Sequence, residues 1–290
     1  MSNRLSDVEA RIASVHELES VVGAMRGIAA ARSQEARSRL DGIRACAGMI
    51  GAAIGDALML DDRSTQSGRA EAGGGTHVVI VVCAEQGFVG TFNEHMIEAA
   101  ANLPGRDACD YFVIGGRGAV VADARGLKVS WSTPMVAHAD EVAALAGRIT
   151  EALYERLETG RATRVTVLHA VPQLSATIDI LQKSLLPFDF TRFALPARHH
   201  APLVTLAPRR LLAELAEEYV YAQLCEALML SFAAENEARM RAMIAARTHV
   251  HDTLDQLTGD FRRLRQEEIT AEIVELSAGS PPTPIASSTS

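Results

Sequence analysis

Residues 250–264, VHDTLDQLTGDFRRL, set Val250, Leu254, Leu257, Phe261 and Leu264 at steps of 4, 3, 4 and 3. Apolar residues spaced 3.5 apart on average form the seam of a left-handed coiled coil. Upstream, RRLLAELAEEYVYAQLCEALMLSFAAENEARMRAMIAA is amphipathic, and no proline interrupts the stretch from Arg209 to Leu276. The spacing predicts one helix over 209–278, roughly 100 Å long at 1.5 Å per residue. Such a seam cannot bury itself, so the chain must supply a partner or borrow one.

The opening of the chain offers that partner. Residues 4–60 lack proline, and Leu5, Val8, Ile12, Val15, Leu18, Val22, Met25 and Ile28 recur in steps of three and four. This stripe predicts a helix over 1–60, roughly 80 Å long. Gly23 and Gly27 weaken it locally and would let another backbone come close. The economical arrangement is an antiparallel coiled coil of the two terminal helices. A rod of that kind transmits position and rarely performs chemistry.

Between the helices, residues 61–76 (DDRSTQSGRAEAGGGT) read as a polar, glycine-rich linker. From 77 to 208 strand and helix patterns alternate. HVVIVVCA, CDYFVIGG, LKVSWST and RVTVLHAV read as strands; NEHMIEAAANL, RGAVVADARG and ADEVAALAGRITEALYERLETG read as helices, with Asn93 as an N-cap. A looser segment follows, with prolines at 172, 187, 196, 202 and 208. The rhythm predicts a small Rossmann-like α/β domain with a largely parallel sheet. Residues 279–290 read as a disordered tail.

Composition narrows the function. A net charge of -8 and a pI near 5.6 argue against a nucleic-acid binder. The four cysteines, Cys46, Cys83, Cys109 and Cys225, form no CxxC pair or zinc spacing and read as reduced thiols. No run approaches the ~20 apolar residues that span a bilayer, and the opening MSNRLSDVEARI is no signal peptide. The expectation is a soluble chain that meets membranes only through a partner.

The candidate chemical motifs are weak. CAEQGFVGTFN at 83–93 follows a strand and precedes a helix, yet it lacks the lysine and Ser/Thr of a phosphate loop and the spacing GxGxxG. IGGRGAVV at 114–121 has GGxG spacing, which suits an ordinary tight turn. His249 and His251 stand two apart, on different faces of a helix. His199 and His200 sit in a proline-rich loop. Neither GxSxG nor HExxH occurs. No catalytic residue, cofactor or metal site is expected. An α/β enzyme binding a nucleotide at the 83–93 or 114–118 loop remains the alternative, as does a coiled-coil adaptor. The first leaves two very long helices unexplained.

Three blocks together carry a family resemblance. RIASVHELESVVGAMRGIAAAR (11–32), CAEQGFVGTFN (83–93) and ENEARMRAMIAARTHVHDTLDQLTGDFRRLRQEEITAEIVEL (235–276) resemble, in order, the N-terminal helix, middle-domain loop and C-terminal helix of the gamma subunit of F-type ATP synthases. From about 110 to 205 the likeness is one of layout. The resemblance implies a central rotor shaft standing in a ring of three alpha and three beta subunits. Its base would rest, with an epsilon subunit, on the membrane ring of c subunits. Ion flow would turn the shaft and drive ATP synthesis on beta, or hydrolysis would drive pumping. Gamma itself would hold no active site and bind no small-molecule substrate. The chain would lie peripherally on the cytoplasmic face of a bacterial plasma membrane.

The same resemblance assigns residues. Arg265, Gln266 and Thr270 match an RQ-x-x-IT pattern that meets a beta subunit, which suits arginine's planar fork. Met25, Arg26 and the loop residues Gln86, Gly87, Val89, Gly90 and Asn93 would face the acidic lever of beta. Ile269, Ile273, Val274 and Leu276 would turn in an apolar bearing. Ser20 and Gly23 stand where the family usually has lysines, Glu85 and Gln86 where Asp-Arg is usual, and Val89 where Cys is usual. Arg26 and Arg32 are expected to replace the missing positive charge. These departures suggest a divergent bacterial branch, with the alternative, sodium-type F-ATPases as a candidate.

Overall fold

The computed structural model describes residues 2–60, 75–160, 162–173, 178–195 and 203–279. The 61–74 linker, His199–His200 and residues 280–290 lie outside the described residues. The chain divides into two units: Gly27–Ala242, and Met1–Arg26 with Met243–Ser290. Helix α1 is Ser2–Leu58 and helix α5 is Pro208–Gly279.

The larger unit is built on five strands. In chain order they are β1 (Thr76–Val82), β2 (Cys109–Ile114), β3 (Val129–Thr133), β4 (Ala162–Val171) and β5 (Asp179–Leu186). They lie side by side as β3-β2-β1-β4-β5, with the first four parallel and β5 antiparallel to β4. Helices α2 (Phe92–Ala101), α3 (Gly116–Ala124) and α4 (Val142–Glu158) connect them.

Alternation along β1 sorts the core. Val78, Ile80 and Val82 join one cluster with Leu145 and Ile149 of α4 and Leu224 and Leu228 of α5. Val79 and Val81 join the other with Met96 and Ile97 of α2 and Ala122 of α3. A central parallel strand covered on both faces needs a near-continuous run of Val and Ile, and β1 has one.

The looser segment expected after Val171 is a strand at 179–186. DILQKSLL hides its nature because only Leu185 is buried and prolines flank it at 172 and 187. It closes the sheet as an edge carrying Lys183, a residue that discourages further pairing.

Within this unit α1 and α5 run antiparallel. Ser33 and Arg37 both bond Glu237, Arg44 bonds Glu226 at 2.9 Å, and Ile54 and Ala57 pack with Leu212, so one index falls as the other rises. The α1 positions turned inward include Ala29, Ser33, Ala36, Leu40, Ala47, Ile54 and Ala57. Small residues there let the backbones approach. Gly23 and Gly27 do not serve that purpose, since a Cβ on either would meet nothing within 4 Å.

In the other unit Val22, Met243, Val250, Leu254 and Leu257 are buried, and Glu19 pairs with Arg247 at 3.7 Å. The α1 stripe differs from its apolar reading. Leu18 and Ile28 are about half exposed, and Glu19 and Ala29 take the inward slots. A seven-residue repeat running Val8, Val15, Val22, Ala29, Ala36 fixes this register.

Candidate functional site

The glycine-rich loop after β1 starts from a buried Cys83 and Ala84. Glu85 comes next, and its Oε2 accepts the Gly116 N–H at 2.8 Å and the Met135 N–H at 2.9 Å. The carboxylate thus sits on the first residue of α3, at the carboxyl edge of the sheet. In doubly wound folds a helix start at that edge is the usual seat of a phosphate. Here the chain's own negative charge fills it.

The second glycine motif closes the same corner. Gly115 has φ +99°, and a Cβ there would stand 2.6 Å from the Cys83 carbonyl oxygen; one on Gly118 would stand 2.1 Å from the Cys83 Cβ. These glycines let α3 press against the end of β1. Burial, with the negative Glu235 adding to it, pushes the Cys83 thiol far up, so it supplies no nucleophile.

Beyond Glu85 the loop is held from below by α5. The Arg239 guanidinium donates to the carbonyls of Gly87 (3.4 Å) and Gln86 (3.5 Å), to Asn236 Oδ1 (3.2 Å) and to Glu235 Oε1 (2.6 Å). Arg239 and Glu235 are both buried. Burial pushes the Glu235 carboxyl up, the Arg239 charge and bond pull against that, and Glu85 adds to the rise. A cavity of about 30 Å³ lies among Arg32, Glu85, Gln86, Glu235 and Arg239, room for about one water.

The loop so held does not expose all of its residues. Gln86 and Gly90 are exposed and Gly87 is half-buried. Val89 is buried in the core beneath α2, at 5 % exposure. Asn93 is buried as well. It is not the N-cap: α2 begins at Phe92 after Thr91, and the Asn93 Oδ1 instead accepts the Ala84 N–H at 2.8 Å. Asn93 therefore ties the start of the loop to the helix that follows it.

Sequence reasoning passed over Phe88, the most conspicuous side chain of the loop. It is 66 % exposed and has φ +61°, the one non-glycine residue with positive φ among the described residues. A phenylalanine set between Gly87 and Gly90 in a chain with only 4 % aromatics was the available signal.

The second candidate surface is the end of α5. Arg265 and Gln266 are exposed and make no side-chain hydrogen bond or ion pair among the described residues. Thr270 is exposed, but its hydroxyl donates to the Gln266 carbonyl at 2.7 Å. Ile269, Ile273, Val274 and Leu276 are all exposed, Leu276 to 74 %. Met25 is half-buried and Arg26 exposed. Arg32 is half-buried and turned toward the Glu85–Glu235 cavity, where its charge meets this chain's own carboxylates.

One further cluster has the shape of a dyad. Cys109 Sγ lies 3.6 Å from His77 Nδ1, and His77 Nε2 lies 2.8 Å from Thr166 Oγ1. Burial pushes the thiol up and the imidazole down, so both rest neutral and form a packing pair. No described helix is long and apolar enough to cross a membrane.

Comparison with known proteins finds one family, described as ATP synthase, matching residues 4–281. The ATP synthase gamma chain of Bdellovibrio bacteriovorus is 25 % identical, covering 95 % of this chain and 97 % of its own length. That of Fuscovulum blasticum is 27 % identical, covering 95 % and 98 %. Among solved structures, the rotor of the Euglena gracilis mitochondrial ATP synthase superposes with a TM-score of 0.64 at 9 % identity, over 93 % of this chain and 100 % of that one. The central stalk and c-ring structure from Tetrahymena thermophila gives 0.59 at 18 %, over 78 % and 99 %.

Proposed function

This chain belongs to the family of F-type ATP synthase gamma chains, and from that premise we propose how its residues do the family's work. The chain is a central-stalk subunit of an F-type ATP synthase. It turns inside a ring of alpha and beta subunits and couples ion translocation through the c-subunit ring to ATP synthesis or hydrolysis on beta. The ion is a proton or sodium, chosen by the membrane ring. An epsilon subunit shares the base. The complex sits on the cytoplasmic face of a bacterial plasma membrane, with this chain peripheral.

One observation carries the reading: α5 continues past its last buried seam residue, Leu257, into a stretch that shows both free polar groups and large apolar side chains to solvent. An exposed patch of this kind marks a partner surface. Arg265 and Gln266 bond a loop of beta there, and Ile269, Ile273, Val274 and Leu276 form the bearing. Met25 and Arg26 in one unit, and Gln86 and Gly90 in the other, each supply a further contact with beta. Val89 and Asn93 act from the interior by shaping the loop. The nucleotide-enzyme alternative loses its seat, because Glu85 occupies the helix start that a phosphate would need.

The test is co-expression with neighbouring alpha and beta subunits, followed by native mass spectrometry and an ATPase assay. One copy of this chain per three alpha and three beta, with ATP hydrolysis, is the expected result. A chain that stays alone overturns the proposal.

A further inference from the structure

We propose that Phe88 is the residue by which the 85–93 loop grips a beta subunit, its ring entering an apolar pocket on that partner. This rests on the rotor reading above. A phenylalanine at φ +61° is in a region that bulky L-residues rarely adopt, and such residues persist only where their surroundings over-determine them. Here they do. Glu85 anchors one side of the loop to α3 and to Met135, Arg239 holds the carbonyls of Gln86 and Gly87, and Asn93 ties the far end to Ala84.

The strain is not repaid inside the chain. The ring is two-thirds exposed, while its neighbour Val89 and the following Phe92 are buried. The loop is therefore held by five polar bonds, one of them fully buried, in a shape that keeps an apolar side chain out in water. Its surroundings define the partner's chemistry. Residues 86–93, QGFVGTFN, carry no charge, and the two cations behind them, Arg32 and Arg239, face the carboxylates of this chain, Glu85 and Glu235. An uncharged apex led by an aromatic ring fits an apolar pocket and offers little to a carboxylate. Aromatic residues are enriched at the desolvated centres of interfaces for the same reason.

The experiment uses the complex assembled with alpha and beta, and three variants. Replacing Phe88 by p-benzoylphenylalanine and irradiating the complex should cross-link it to beta. Phe88→Gly should leave the melting temperature of the full chain unchanged or raised, because glycine accepts the backbone angle. The same variant should weaken retention in the complex, or coupled ATP hydrolysis, by about tenfold or more, the loss typical of a central interface residue. Phe88→Leu should keep most of the function. Cross-linking to alpha, or to nothing, overturns the inference. So does a Phe88→Gly complex with undiminished retention and coupling, or a variant chain whose melting temperature falls by several degrees. If the unaltered chain does not assemble with alpha and beta, the rotor reading itself fails and the inference falls with it.

Discussion

The loop at 85–93 and the end of α5 are two exposed surfaces built on opposite terms. The loop owes its shape to bonds from three other places in the chain: α3, the 135 segment and α5. The helix end needs no such support, since from Arg265 onward backbone hydrogen bonds alone fix the positions of its side chains. A surface of the first kind cannot be altered without disturbing its scaffold. On a surface of the second kind a side chain can be removed and only the contact is lost. Stability and coupling should therefore fail together at the loop's anchors and separately on the helix end.

The largest test of that contrast is Arg239→Ala. It removes the bonds to Gln86 and Gly87 and leaves Glu235 buried without its cation. Breaking a buried pair in this way costs about 3–5 kcal/mol, to be read from urea unfolding at pH 7. The pH dependence carries a definite sign. Burial already raises the Glu235 carboxyl above 4.5 in the folded chain, and losing Arg239 raises it further. A raised carboxyl contributes stability below its unfolded value, and that contribution is lost as pH rises through the folded value. The variant should thus recover part of its stability between pH 7 and pH 5, more than the unaltered chain does. A variant equally stable at both pH values would mean that Glu235 is hydrated and the clamp superficial.

A smaller effect is expected at Glu85. Glu85→Ala strips the acceptor from the Gly116 and Met135 amides and the negative charge from the start of α3. Losing acceptors of this kind costs about 1–3 kcal/mol. Met135 is buried, so its amide has less access to replacement water than the exposed Gly116. An unchanged unfolding midpoint would make the carboxylate a bystander and reopen the nucleotide alternative at this corner.

The two surfaces also differ in how far sequence reveals them. The seam from Val250 to Leu264 is legible because every slot is apolar and the rule is local. The α1 seam is legible only at its start. Past Val15 the buried Val22 and Leu40 still fit an apolar stripe, but other slots hold Glu19, Ala29, Ser33 and Ala36, and Glu19 and Ser33 meet partners far along the chain, Arg247 and Glu237. Arg265 and Gln266 are singled out by their match to a family pattern, and local helix periodicity supplies only their exposure. The loop could be located but not oriented. Whether Val89 faces in and Phe88 faces out is decided by a clamp joining residues 152 apart, which no local pattern contains. Asn93 failed as a cap for the same reason: its partner is the backbone of a strand end, not of its own helix. Strand β5 was hidden by being an edge, where alternation weakens as one face meets solvent.

The sharpest form of the comparison lies where the stability change should be smallest. Arg265→Ala and Gln266→Ala remove side chains that bond nothing within the described chain. Each should leave the unfolding midpoint within about 0.5 kcal/mol of the original, as surface substitutions do. Each should still weaken coupled ATP hydrolysis in the assembled complex, by about tenfold for the arginine if it grips a carboxylate through two bonds. Thr270→Ala should cost less than either, because its hydroxyl is already spent on the Gln266 carbonyl one turn back. A loss of stability in any of the three would show that the helix end is not self-supporting. Equal coupling losses at Thr270 and Arg265 would mean that the partner reads the shape of the helix surface there, and that the guanidinium fork contributes nothing special.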